Sequence, residues 1–417
     1  MADGATDFQK DARAQAYAMP LDQIDLSDAS RFRDNTMMHY FERIRAEDPV
    51  HYTAESEHGP YWSVTKYNDI MAVDTNHGVF SSEGGIVIAD PDEDFELPMF
   101  IAMDPPKHDA QRKVVSPIVS PGNLANMEGL IRSRAGKIMD ELPIGETFDW
   151  VDRVSIELTT QMLATLFDFP FEDRRKLTRW SDVATAAPES GIVESEDARK
   201  AELFECAAYF TDLWNQRVNS EPKGDLISML AHGEATRNME PMEFLGNIIL
   251  LIVGGNDTTR NSITGGLLAL NENPDQYAKL RANHGLITSM VPEIIRWQTP
   301  LAHMRRRALS DIELGGKQIK AGDKVVMWYV SGNRDEEVIE NPNAFIIDRE
   351  RPRQHLSFGF GIHRCVGNRL AEMQLKIVWE EILKRWDFIE VVEAPRRVRS
   401  SFVKGYERML VRIHPRG

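Results

Sequence analysis

A chain of 417 residues with 42% hydrophobic and 27% charged residues is long enough to bury a large core, and its formal net charge of −16 argues against a nucleic-acid-binding surface. Two cysteines in so long a chain do not make a disulfide framework. Residues 1–20 mix acids, bases and Gln without an apolar run, so neither a secretory signal nor a membrane anchor is expected, and the chain is expected to be cytoplasmic.

No Pro/Gly/Ser-rich linker, low-complexity tract or internal repeat divides the sequence, so one domain over residues 1–417 is expected, with distant segments surrounding a common centre. Residues 36–46 have helical periodicity. His51-Tyr52-Thr53 and Tyr61-Trp62-Ser63-Val64 then read as two strands joined by a turn through Glu57-His58-Gly59-Pro60. Residues 81–98 mix glycines, acids and prolines with Ile86, Val87 and Ile88, the composition of a long surface loop with an apolar patch, and such loops often cover a site. In Met103-Asp104-Pro105-Pro106-Lys107-His108 the prolines predict an extended entry followed by a helix, on which His108 and Arg112 share a face. By itself that pair reads as a solvated helix surface. From residue 123 to 219 the patterns are helical with almost no strand signal, and are broken around Ala186, Pro188, Glu189, Ser190 and Gly191, where a mobile connection is expected. Cys206, within a helical apolar pattern, reads as core.

Residues 244–253 are apolar on nearly every face, as in a helix buried through the middle of a large protein. Gly254-Gly255-Asn256-Asp257-Thr258-Thr259 then sets polar groups into that helix, where an unsatisfied carboxylate would be costly. Downstream, Glu293-Ile294-Ile295-Arg296 is an acid/base pair at i, i+3, and Arg305-Arg306-Arg307 precedes strand patterns at 312–314 and 324–328. Finally, Phe358-Gly359-Phe360-Gly361-Ile362-His363-Arg364-Cys365-Val366-Gly367 is a glycine-rich loop in which backbone can approach a flat ligand where a Cβ would collide. Leu370, Met373, Ile377 and Glu381 follow at helical spacing, so Cys365 lies just ahead of a helix N-terminus, a setting that favours a thiolate.

The pattern Phe-Gly-x-Gly-x-His-x-Cys-x-Gly at Phe358, Gly359, Gly361, His363, Cys365 and Gly367 resembles the haem-ligand signature of the cytochrome P450 family, and the Gly-Gly-x-Asp-Thr-Thr and Glu-x-x-Arg motifs stand before it in the family's order. The resemblance implies a mostly α fold with small peripheral β-sheets and haem b between the long central helix and the helix after Cys365. It implies Cys365 as the iron ligand, His108, Arg112, Arg306 and His363 as partners of the haem propionates, and Asp257 and Thr258 as the catalytic pair that handles protons. Glu293 and Arg296, completed by Arg349, would brace the ligand loop.

The implied reaction is hydroxylation of an unactivated C–H bond with O2. No dinucleotide fingerprint follows a strand, so electrons are expected from a ferredoxin and its reductase. Arg364, Arg369, Lys113 and Lys376 are candidate basic contacts for that partner, or ordinary solubility charges. The runs 255–261, 355–375 and 401–405 look most like bacterial hydroxylases of alkane and fatty-acid chain ends. For such a substrate, Ile86, Val87, Val253, Gly254, Leu301 and Phe402 are candidate channel walls. Hydroxylation of sterol side chains or branched lipids is the alternative within the class, and a haem gas sensor or peroxide-dependent enzyme the alternative outside it.

Overall fold

The computed structural model describes residues 7–92, 94–186 and 190–414. Helices dominate, and the small sheets lie around them, as expected. The helix Pro241–Glu272 runs through the largest core cluster, and most of its residues are buried. Proline at its start costs no hydrogen bond, because the first N–H groups of a helix have no partner within it. The helices Glu157–Phe167, Arg175–Thr185, Ile287–Gln298 and Asn368–Arg385 pack on different sides of it. No helix among the described residues is long and apolar enough to cross a membrane.

The largest sheet has five strands, in the order Val50–Thr53, Tyr61–Val64, Lys324–Met327, Met304–Ala308 and Phe80–Ser81. Its early hairpin is where the turn chemistry predicts it. The pairing with Met304–Ala308 gives the three arginines distinct fates, because alternate side chains of a strand point to opposite faces. Met304 and Arg306 face the central cavity. Arg305 is buried against the carbonyl of Ala89, and Arg307 is exposed. They do not form the solvated patch that three consecutive arginines usually make.

One stretch departs from the sequence reading. Within residues 123–219, Thr147–Asp149 is a strand, paired with Leu410–Ile413 near the other end of the chain. Three residues whose partner is so remote carry no usable periodicity. The break around residue 186 separates the helices Arg175–Thr185 and Glu196–Val218, while Ala187, Pro188 and Glu189 lie outside the described residues. Cys206 is fully buried in the second of these helices, as expected.

Residues 82–92 and 94–99 form no helix or strand, and Leu97 and Pro98 seat on the central helix; Glu93 of this loop is outside the described residues. A Cβ on Gly246 would stand 2.1 Å from the carbonyl oxygen of Pro98, so only glycine lets the loop seat this closely. Asn247 fixes the same contact, accepting from the Phe100 N–H at 2.9 Å and donating to Gln111 at 3.1 Å. Gly246→Ala is therefore expected to destabilise the protein by about 1–3 kcal/mol, the usual range for overpacking against an element that must shift. Urea unfolding followed by tryptophan fluorescence measures this; an unchanged midpoint would show that the loop moves freely from the helix.

Candidate functional site

The cysteine loop is shaped by the helix Tyr67–Thr75. Gly359 and Gly361 have φ of +63° and +66°, a region L side chains rarely adopt, and a Cβ on Gly361 would stand 2.6 Å from the Asp74 carbonyl oxygen. The glycines therefore serve a close approach to another helix, in addition to the approach to a ligand that the sequence suggests. Asp74 completes the junction. Its carboxylate accepts from Arg306 Nη2 at 2.8 Å, the Tyr329 hydroxyl at 2.9 Å and the Phe360 N–H at 2.7 Å.

Beneath the loop lies a second, deeper brace. Glu293 accepts from Arg296 at 2.7 and 2.8 Å and from Arg349 at 3.0 and 3.2 Å, with Glu293 and Arg296 fully buried. Arg296 also donates to the carbonyls of Asn333, Pro342 and Ala344. Asn333 in turn accepts from the Leu356 N–H, and Ser357 donates to the Ile295 carbonyl, so the start of the cysteine loop is tied to the same helix end.

One cavity gathers most of the residues singled out by sequence. Cys365, Arg112, Arg306 and His363 line it, together with Gly254 and Thr258 from the central helix and Ile86, Val253, Leu301 and Phe402 from its apolar walls. Leu370 and Leu375 of the helix after the cysteine close it opposite the central helix. The Cys365 side chain is open to the cavity although the cavity itself lies deep in the protein. Burial pushes its thiol up, while the Gly367 N–H, Arg112 and Arg364 pull it down.

Three sequence candidates sit elsewhere. Val87 is outside the cavity lining; the chain bends at residues 86–89, and its carbonyl faces Arg305. His108 lies behind His363, ring centroids 4.3 Å apart, with Nδ1 paired to Asp109 at 2.7 Å. Asp257 is fully buried on a different side of the central helix from Thr258, since successive helical residues are turned by about 100°. It stands 2.6 Å from Arg260 Nη2 and accepts from Ser181 at 3.0 Å; Arg260 also donates to Asp182 at 2.9 Å. Burial pushes the Asp257 carboxyl up, Arg260 opposes this and Asp182 adds to it. Thr258 donates to the Gly254 carbonyl at 3.0 Å. Of the paired glycines, Gly254 leaves open space, whereas Gly255 makes room for Leu163.

The donor set fits haem. Both ring nitrogens of His363 and Nε2 of His108 are buried without a partner among the described residues, beside the guanidinium groups of Arg112 and Arg306. Burial, then the charges of Arg306, His108 and Arg112, hold His363 down at about 2, so the ring is neutral. Two guanidinium groups and an unmatched imidazole N–H in a buried wall call for anionic acceptors, as two propionates would be. Asp74 and Tyr329 were missed by sequence reasoning. A lone acid in an ordinary helix carries no signal when its arginine partner is 232 positions away.

The Glu293 network sets a pH dependence. Burial raises the Glu293 carboxyl, but hydrogen bonds and charge from Arg296 and Arg349 outweigh it and hold the group below its usual value of 4.5. A depressed carboxyl contributes stability that is complete above its unfolded pKa and is lost as pH falls through the folded one. Glu293→Gln is expected to cost about 3–5 kcal/mol at pH 7, as for other broken buried pairs. The gap between wild type and variant should shrink as the pH is lowered below 4.5. Urea midpoints of both proteins across that range measure it; a constant gap would mean that the carboxylate charge contributes nothing.

The cytochrome P450 family profile matches residues 212–408. Linalool 8-monooxygenase of Pseudomonas putida is 34% identical over 410 residues, covering 95% of this chain and 100% of that protein. Steroid C26-monooxygenase of Mycolicibacterium smegmatis is 33% identical, covering 92% of each. Among solved structures, cytochrome P450-153 from Novosphingobium aromaticivorans has a TM-score of 0.88 at 47% identity, over 94% of this chain and 99% of that one. A Mycobacterium marinum cytochrome P450 in complex with pseudoionone has a TM-score of 0.86 at 32% identity, over 94% and 99%.

Proposed function

Since the chain belongs to the cytochrome P450 family, and is thereby a monooxygenase that uses haem b and O2, we propose that it hydroxylates the terminal carbon of medium-chain alkanes or fatty acids. One observation carries this reading. The charged residues lining the cavity, Asp74, Arg112 and Arg306, belong to the side that fits the propionates, whereas the walls above Thr258 are formed by Ile86, Val253, Leu301 and Phe402. An apolar chain loses little by entering such a space and gains about 0.8 kcal/mol for each buried methylene. Terminal C–H bonds are stronger than their secondary neighbours, so selectivity for the chain end has to come from how the walls hold the chain.

In this reading Cys365 is the iron ligand, and His108, Arg112, Arg306 and His363 meet the propionates. When bound, thiolate-ligated haem supplies the reductive activation of O2 and the oxygenation of the C–H bond. The chain's own residues bind, align and supply protons. Thr258 holds a hydroxyl at the cavity wall. Asp257, on the buried side of the helix, would bring protons from solvent toward the cavity. Electrons come from a ferredoxin and its reductase; Lys113, Arg364, Arg369 and Lys376 are all exposed and suit an acidic partner.

Two relatives are named for oxidation of linalool and of a steroid, which favours branched-lipid or sterol side-chain ends as the second reading. A sensor without turnover does not fit relatives that are monooxygenases.

Two experiments test the assignment of residues and of substrate. Cys365→Ala is expected to abolish the red-shifted ferrous carbon monoxide band and all hydroxylation. Thr258→Ala should keep that band and substrate binding while diverting reducing equivalents to hydrogen peroxide. Full coupling in Thr258→Ala would reduce the threonine to a helix feature. Affinity for linear alkanes, followed by spectral titration, should rise roughly fourfold per added carbon until the channel is full. Chromatography should then find mainly 1-alkanols. Mostly subterminal alcohols, or much tighter binding of a sterol than of any linear chain, would overturn the chain-end reading.

A further inference from the structure

His303 lies two residues after Leu301, fully buried, and does not line the cavity. Its two ring nitrogens are both used. Nε2 is 3.1 Å from the backbone nitrogen of Ile88, and Nδ1 is 2.9 Å from the carbonyl oxygen of Ser401. A backbone N–H can only donate and a carbonyl can only accept, so Nε2 accepts from Ile88 and the proton sits on Nδ1. Burial holds the group down at about 3, which keeps the ring in this neutral form. The tautomer is thus set by the two loops it joins.

Those loops carry two of the apolar walls. Ile86 precedes Ile88 in the covering loop, and its carbonyl accepts from the Arg305 N–H at 2.8 Å. Phe402 follows Ser401 in the C-terminal turn, and its carbonyl accepts from the Ala302 N–H at 2.8 Å. Leu301 forms a bridge with Val403 in the same turn. The His303 ring is also packed between Trp328 and Phe402, at 4.8 and 5.3 Å between centroids. One buried imidazole, just ahead of the strand Met304–Ala308, therefore connects the covering loop and the C-terminal turn.

We infer that His303 is a positioning residue for regioselectivity: by bonding Ile88 and Ser401 at once, it fixes the separation of Ile86 and Phe402 and so the width of the channel at the substrate. The inference rests on the proposed hydroxylation for its product readout, but not for its structural one. An isosteric ring without nitrogens would keep the packing and lose both bonds, leaving a buried N–H and a buried carbonyl unmatched.

The test compares haem-loaded wild type with His303→Phe and His303→Asn by hydrogen exchange at Ile88 and by the ratio of primary to secondary alcohols formed from octane. His303→Phe is expected to speed exchange at Ile88 about tenfold, as loss of one buried hydrogen bond implies. It should also lower the product ratio about threefold, since loosened walls admit the weaker secondary C–H bond. His303→Asn places an amide near the Nδ1 position, so it should free Ile88 but hold Ser401, and shift the ratio less. If His303 acts through Phe402, adding His303→Phe to Phe402→Ala should change the ratio less than it does alone. An unchanged ratio in His303→Phe with full haem content overturns the inference, as does additivity in the double variant. Should His303→Phe fail to hold haem, unchanged Ile88 exchange in His303→Asn overturns it. If wild type forms no alcohol from octane, the chain-end reading falls, and the ratio of oxidation products from linalool decides the role of His303 in the same comparison.

Discussion

A fully buried guanidinium must find acceptors on every side, and Arg296 finds them on three segments of this chain, its own helix included. Glu293 takes two of its donors, and carbonyls from residues 333, 342 and 344 take the others. Removing any one segment would strand charge in the interior, so the segments are held together by the cost of the alternative more than by the strength of any single bond. The cysteine loop inherits this rigidity through Asn333 and Ser357. Glu293, Arg296 and Asn333 do not line the cavity, so the cysteine loop owes its position to bonds made mostly behind the wall, with Ser357 and Ile295 reaching its surface.

The cavity has two chemical halves. On one, Arg112, Arg306, His363 and Asp74 concentrate charge; the other is walled mainly by aliphatic and aromatic side chains, with the Thr258 hydroxyl among its few polar groups. The division follows from the strand Met304–Ala308 and the chain just before it. Leu301 belongs to the apolar half, while Met304 and Arg306 share the cavity face of the strand. Arg306 is kept in the buried wall by Asp74, whose own carboxyl is pushed up by burial and pulled down by that same arginine. A carboxylate from elsewhere meets an arginine already oriented by a partner.

The central helix shows a similar division around its axis. Thr258 and Gly254 face the cavity, and Asp257 faces the helix Arg175–Thr185 through Ser181, with Arg260 reaching Asp182 from the same side. Asn256 accepts from Thr159 at 3.0 Å, so the polar segment is satisfied by side chains of two neighbouring helices. Polar residues inside an apolar helix are tolerated here because each has a partner, and the hydroxyl that faces the cavity bonds back to its own helix.

The sequence by itself determined the elements whose signals are local. The cysteine loop, the Gly-Gly-x-Asp-Thr-Thr helix, the Glu-x-x-Arg pair and the early hairpin are legible because turn residues, helical spacing and motif order lie within a few positions of one another. That was enough for the family and the fold class, and Arg349 was found as the third member of its network. Tertiary structure alone decided what depended on distant partners. Asp74 became the companion of Arg306, the strand Thr147–Asp149 was made by the far end of the chain, and Val87 was left outside a cavity that its neighbour lines. His303 gave no sign in sequence of joining Ile88 to Ser401. A side chain's chemistry is written in its own residue type, but its direction and partners come from packing between segments far apart in the chain, and periodicity carries no record of those.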